Sequence, residues 1–313
     1  MIDRAAISAA HQRLSAQPDF LRTTPLMRLG GAALGVACDQ VWLKLEHLQI
    51  GGSFKARGML NRLLSNPLPD AGVIIASGGN AGIATAAAAQ ALGVRCEVFV
   101  PEVSPEAKRA SLRALGAHVV VHGAAYSEAL QACLARQQAT GALLTHAYDQ
   151  PEVVAGAGTL ALEMEQQAGR LPDSLLVSVG GGGLIGGVAA WSAGRTKVVA
   201  LEPELAPTLH SARQAGVPVD VEVGGIAADS LGARRIGAIA WEIAQQHVQE
   251  SLLVSDAAIR AAQLWLWREL KLAVEPAAAL GLAALQSGVY RPGAQETVGL
   301  IVCGANCDPS VLA

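Results

Sequence analysis

The sequence predicts an α/β protein in which mainly parallel sheets carry helices on both faces. Three observations point there. Runs of β-rich residues alternate with helix-length runs along most of the chain, the order that builds parallel sheets through crossover helices. Two long segments, Ala71 to Val94 and Ser174 to Gly194, hold no charged residue, as expected of strands and helices enclosed on every side. Apolar residues make up 51% and charged residues 16% of 313 positions, enough for a large core in one or two domains.

The elements follow in order. An apolar run, Val41 to Leu45, precedes a helical run ending at Leu64. Gly72 to Ala76 reads as a strand, Ala81 to Gly93 as an alanine-rich helix stopped by glycine, and Cys96 to Pro101 as the next strand. Glu106 to Gly116 is helical, His118 to His122 extended, and Ser127 to Thr140 helical. A hinge-like stretch spans His146 to Pro151. The alternation then resumes with a helix Val153 to Ala168, strand Ser174 to Val179, helix Leu184 to Gly194 and strand Lys197 to Glu202. A late helix, Ser255 to Leu272, is followed by helical Pro276 to Gln286 and a last strand, Thr297 to Cys303. The expected division is a large unit, 1–68 with 146–313, into which a small α/β unit, 69–145, is inserted. A cleft between such units is a common ligand site, and ligands gather at the carboxyl ends of parallel strands.

Several classes of function are excluded. The two uncharged segments are interrupted by Ser77 to Asn80 and by four consecutive glycines, which would leave backbone groups unsatisfied in lipid, so no membrane partner is expected. Lys+Arg 23 against Asp+Glu 26 gives a net charge of −3, and no basic run interleaves with aromatics, so no nucleic-acid partner is expected. Five cysteines without a C-x-x-C pair argue against a disulfide framework or zinc ribbon. They fit a cytoplasmic protein, as does an N-terminus lacking a signal-peptide pattern.

Four clusters could carry chemistry. Ser53 is placed like an N-cap, which puts Lys55 in the first turn of a helix, where the dipole disfavours an ammonium and favours a nucleophilic amine. Gly180 to Gly183, between a strand and a helix, can converge backbone N–H groups on a phosphate, or can serve as a packing turn. The same run matches G-x-G-x-x-G through Gly181, Gly183 and Gly186, with Glu202 closing the next strand. That keeps an NAD-dependent oxidoreductase open. Ser77 to Gly82 offers amides, a hydroxyl and the Asn80 side chain to a carboxylate, or is simple helix capping. Cys303, after the last strand, is a small buried hydrophobe or a weak donor.

Together these parts suit pyridoxal phosphate chemistry. The chain from Thr24 to Asn306 resembles the serine/threonine dehydratases of the fold-type II pyridoxal phosphate enzymes. The resemblance runs through Leu43 to Gln49, Ser53-Phe54-Lys55, Ser77 to Gly82, Ala155 to Thr159, the tetraglycine loop, Val274-Glu275-Pro276 and the Cys303 segment. It covers about nine-tenths of the chain and implies a two-domain, tryptophan synthase β-like fold. It also implies that Lys55 binds the cofactor covalently and acts as the catalytic base, with Phe54 beside the ring and Asn80 on its phenolic oxygen. Gly180, Gly181, Gly182, Gly183 and Leu184 would hold the phosphate, Cys303 would face the pyridine nitrogen, and Glu275 would complete the cofactor set. Ser77, Gly78, Asn80 and Ala81 would bind the substrate carboxylate.

The implied activity is β-elimination of L-threonine or L-serine to 2-oxobutyrate or pyruvate and ammonia, with 3-hydroxyaspartate or another β-hydroxy amino acid as an alternative. A homodimer is implied by the resemblance alone. Two departures stand out. Related racemases carry a second serine where this chain has Gly78, so weak racemisation is expected. Some relatives hold a divalent cation with a glutamate, a carbonyl and an aspartate. Here Glu202 and Ala206 match and Thr208 replaces the aspartate, so no metal is assigned and Glu202 reads as a structural cap. Because the sequence ends at Ala313, no regulatory domain of the biosynthetic kind is expected, and a catabolic role follows.

Overall fold

Strands of the computed structural model, which describes residues 2–312, fall into two sheets. Helix α1 (Arg4–Ser15) opens the chain, followed by β1 (Leu26–Gly30), β2 (Gln40–Lys44) and α2 (Lys55–Leu64). Next come β3 (Val73–Ala76), α3 (Asn80–Ala91), β4 (Cys96–Val100), α4 (Glu106–Ala114), β5 (His118–Val121), α5 (Tyr126–Thr140) and β6 (Leu143–Leu144). After α6 (Pro151–Ala168) come β7 (Ser174–Ser178), α7 (Gly183–Ser192), β8 (Lys197–Pro203), α8 (Thr208–Ala215), α9 (Ala238–His247) and β9 (Glu250–Val254). Helices α10 (Asp256–Leu270) and α11 (Pro276–Gln286) and strand β10 (Thr297–Ile301) complete it.

The larger sheet has the order β1-β2-β10-β7-β8-β9 and the smaller β5-β4-β3-β6. All pairings are parallel except β1 with β2 at one edge. The central strands show why. Every residue of β7, β10 and β3 is buried, because helices cover both faces and leave no side to alternate toward water. We propose that the smaller sheet and its helices form the inserted unit 69–145. Helix α2, although it precedes that range, also packs into its core through Ala56, Met59, Leu60 and Leu63.

Helix α6 is buried from Val153 to Met164 and ties the fold together. Its Ala-Gly-Ala-Gly stretch has a steric reason. A Cβ at Gly156 would stand 2.6 Å from the carbonyl oxygen of Arg57 in α2, and one at Gly158 would stand 2.7 Å from that of Gly187 in α7. Only glycines permit three helices to approach so closely.

Beneath α2 lies a buried ion network. Arg57 grips Glu46 through two bonds of 2.8 Å and reaches Glu163 at 3.0 Å. Lys44 meets the other oxygen of Glu163 at 2.5 Å, and Thr24 donates to Glu46. Burial raises the Glu46 pKa, but the Arg57 guanidinium outweighs it and holds the carboxylate below its ordinary value. The network anchors the helix whose first residue is Lys55.

Candidate active site

Helix α2 begins at Lys55 because the segment before it is held extended by its neighbours. Ser53 forms a bridge with Gly304, and the Phe54 amide donates to the Cys303 carbonyl at 3.0 Å. Ser53 is therefore not the N-cap. That position falls to Phe54, and the buried Ser53 hydroxyl has no hydrogen-bond partner among the described residues. The extended conformation imposed by the bridge overrides the local capping preference.

The Lys55 amine donates to the Ala147 carbonyl at 2.5 Å. Burial lowers its pKa to about 8, opposed by Cys303 and Glu275. Desolvation thus leads in freeing the amine, where the sequence had suggested the helix dipole. Phe54 lies beside it, its ring centroid 5.1 Å from the amine.

One cleft brings the predicted cofactor residues together. Phe54, Lys55, Asn80, Gly180 to Gly183, Leu184, Glu275 and Cys303 all line it. Asn80 does not cap α3, whose N-cap is Gly79. Its amide donates to both oxygens of Glu275 at 3.0 Å, while its own oxygen accepts from Asn306 at 2.8 Å. Burial pushes the Glu275 carboxyl up to about 7 and raises the Cys303 thiol well above its ordinary value. Cys303 is therefore a neutral thiol near neutral pH.

The tetraglycine loop leaves β7 through Val179 and enters α7. Its carbonyls are tied: Thr208 Oγ donates to Gly180 O at 2.6 Å, and the Gly237 amide to Gly181 O at 3.0 Å. Its amides are not. None from Gly180 to Gly183 donates to an acceptor among the described residues. A row of unpaired N–H groups at the start of a helix suits an anion.

Other predicted residues lie at the edge of this constellation. Ser77, Gly78 and Ala81 occupy the turn into α3 beside Asn80, outside the set lining the cleft. Glu202 accepts from the amides of Leu209 and His210 at 2.8 and 2.7 Å, and the Thr208 hydroxyl lies 2.9 Å from its Oε1. It caps α8 and is taken up there, which leaves no free carboxylate for a ribose.

The sequence reading overlooked Tyr148, Ser178, Ser230, Leu231 and Ala277, which also line the cleft, and Asn306, which orients Asn80. Tyr148 lies in the stretch read as a hinge. Its ring covers Gly181 so closely that a Cβ there would lie 2.2 Å from the ring. The signal was an aromatic residue in a chain with only three tyrosines.

Comparison with known proteins identifies the family. Residues 18–304 match the family model described as pyridoxal-phosphate dependent enzyme. The chain is 34% identical to the L-threonine ammonia-lyase of Thermotoga maritima over 88% of its own length and 70% of that protein's. It is 35% identical to the phenylserine dehydratase of Ralstonia pickettii over 99% and 95%. Among solved structures, maize serine racemase superposes with a TM-score of 0.91 at 29% identity, covering 99% of this chain and 95% of that one. The oxidoreductase alternative gives way to these matches, and this chain belongs to the fold-type II pyridoxal-phosphate dependent enzymes, within the threonine ammonia-lyase and dehydratase family.

Proposed function

We propose that the enzyme deaminates L-threonine and L-serine by β-elimination, releasing 2-oxobutyrate or pyruvate and ammonia. The residues fit the cofactor of the family. The free loop amides suit its phosphate, and a buried amine with its pKa lowered to about 8 suits covalent attachment to an aldehyde. Bound at Lys55, pyridoxal phosphate would supply the electron-accepting ring that stabilises charge at the substrate Cα.

The chain's own groups would do the rest. The Lys55 amine would take the Cα proton, its lowered pKa matching the working range of a general base. Asn80, locked between Glu275 and Asn306, would present one amide edge in a fixed orientation. The unpaired amides at the start of α3, with Ser77 alongside, would take the substrate carboxylate. Cys303, kept neutral by burial, would contribute a weak donor rather than a charge.

Substrate class follows from charge. Among the described residues, Lys55 is the only cation lining the cleft. Lys108, near the mouth, is paired with Asp229. A second carboxylate, as in 3-hydroxyaspartate, would lack a counter-ion, so neutral β-hydroxy amino acids fit better. The near full-length match to a phenylserine dehydratase supports a larger neutral side chain as a second reading.

The observation that carries the proposal is a single cleft lined both by the Lys55 amine and by loop amides that donate to nothing among the described residues. The test is 2-oxo acid release from serine, threonine, phenylserine and both 3-hydroxyaspartate diastereomers. Turnover of the neutral substrates is expected. Release confined to hydroxyaspartate, or none, would overturn the proposal.

A further inference from the structure

The phosphate loop is built from glycines, which do not hold a conformation by themselves. Something behind it must aim its amides. A trans peptide is planar, so fixing its carbonyl fixes the N–H on the opposite side. The Thr208 hydroxyl holds Gly180 O at 2.6 Å, which orients the Gly181 amide. The Gly237 amide holds Gly181 O at 3.0 Å and orients that of Gly182. Thr208 is fully buried; Glu202 Oε1 lies 2.9 Å from the same hydroxyl, whose single hydrogen serves the nearer oxygen, Gly180 O.

We propose that Thr208, one helix away from the cleft and absent from its lining, is a positioning residue that aims the loop's amides at the cofactor phosphate. The two contacts make α8 and α9 the back wall of the loop. The threonine methyl packs in the buried shell while its single hydroxyl hydrogen reaches the loop. Valine keeps the shape and removes the hydrogen, which leaves Gly180 O without its donor. The peptide is then free to turn its N–H away from the cleft.

This rests on the reading that the loop holds a phosphate, and the test separates the two. Apoprotein of the full chain is titrated with pyridoxal phosphate and with pyridoxal, which lacks the phosphate, following visible absorbance. Thr208→Val is expected to bind pyridoxal phosphate roughly tenfold more weakly, the scale of one lost hydrogen bond to a buried carbonyl. Its affinity for pyridoxal should be unchanged, and Thr208→Ser should restore the wild-type ratio. Thr208→Ala, measured in the same way, covers the case in which the valine variant does not fold. An undiminished preference for the phosphorylated aldehyde in the variants would overturn the role of Thr208. So would an equal loss for both aldehydes, which is the mark of a general structural defect. Wild-type protein without any preference would instead overturn the phosphate reading itself.

Discussion

Replacing Lys55 with methionine should make the apoprotein more stable while abolishing its chemistry. The Lys55 pKa is displaced from 10.5 to about 8 by burial. At about 1.4 kcal/mol per pH unit, this corresponds to roughly 3 kcal/mol by which the fold disfavours the ammonium form. The side chain keeps partial exposure to the cleft, and its bond to the Ala147 carbonyl is lost on substitution. Screening and that bond reduce the expected gain to about 2 kcal/mol at pH 7. Because the folded-state pKa lies below the unfolded one, the unfolded chain binds the extra proton between about pH 8 and 10.5. Wild-type stability therefore rises with pH across that window. Urea unfolding of both apoproteins at pH 7, 9 and 10, read by tryptophan fluorescence, should show the methionine variant ahead at pH 7 and the gap closing by pH 10. A gap that does not change with pH, or a variant less stable at pH 7, would refute the assignment of Lys55 as a desolvated amine.

Three further outcomes follow. Gly181→Ala places a Cβ within 2.2 Å of the Tyr148 ring and should abolish cofactor binding, with Tyr148→Ala in the same chain restoring it; absorbance titration of both variants checks this. Glu46→Ala removes the bidentate partner of buried Arg57 and should cost about 3–5 kcal/mol in urea unfolding, whereas a loss below about 1 kcal/mol would show that Glu163 suffices. L-Serine should give D-serine far more slowly than pyruvate, because Gly78, where related racemases carry a serine, has no side-chain proton to give; chiral chromatography of the reaction mixture would contradict this if the two rates were similar.

What the sequence made legible was what neighbouring residues determine. The tetraglycine loop, Lys55 at the head of a helix and the alternating strands and helices are local patterns, and each lies where its pattern placed it. Contacts across the chain were not legible. Ser53 reads as a cap from its immediate neighbours, but a bridge to Gly304, about 250 positions away, extends it. Asn80 takes its orientation from Glu275 and Asn306, both distant in sequence. Strand β1 is a half-exposed, antiparallel edge strand, so it lacks the apolar run that marks the central strands. Helices α8 and α9, at whose starts Thr208 and Gly237 hold the carbonyls of the tetraglycine loop, fall in a region with no local motif to announce them.

The account depends on Lys55 being the residue that carries the cofactor. Reducing the holoprotein with borohydride, digesting it and sequencing the peptides by mass spectrometry should place a phosphopyridoxyl group on the peptide containing Ser53-Phe54-Lys55, at Lys55. A modified lysine elsewhere, or none in protein that shows the cofactor's visible absorbance, would contradict it.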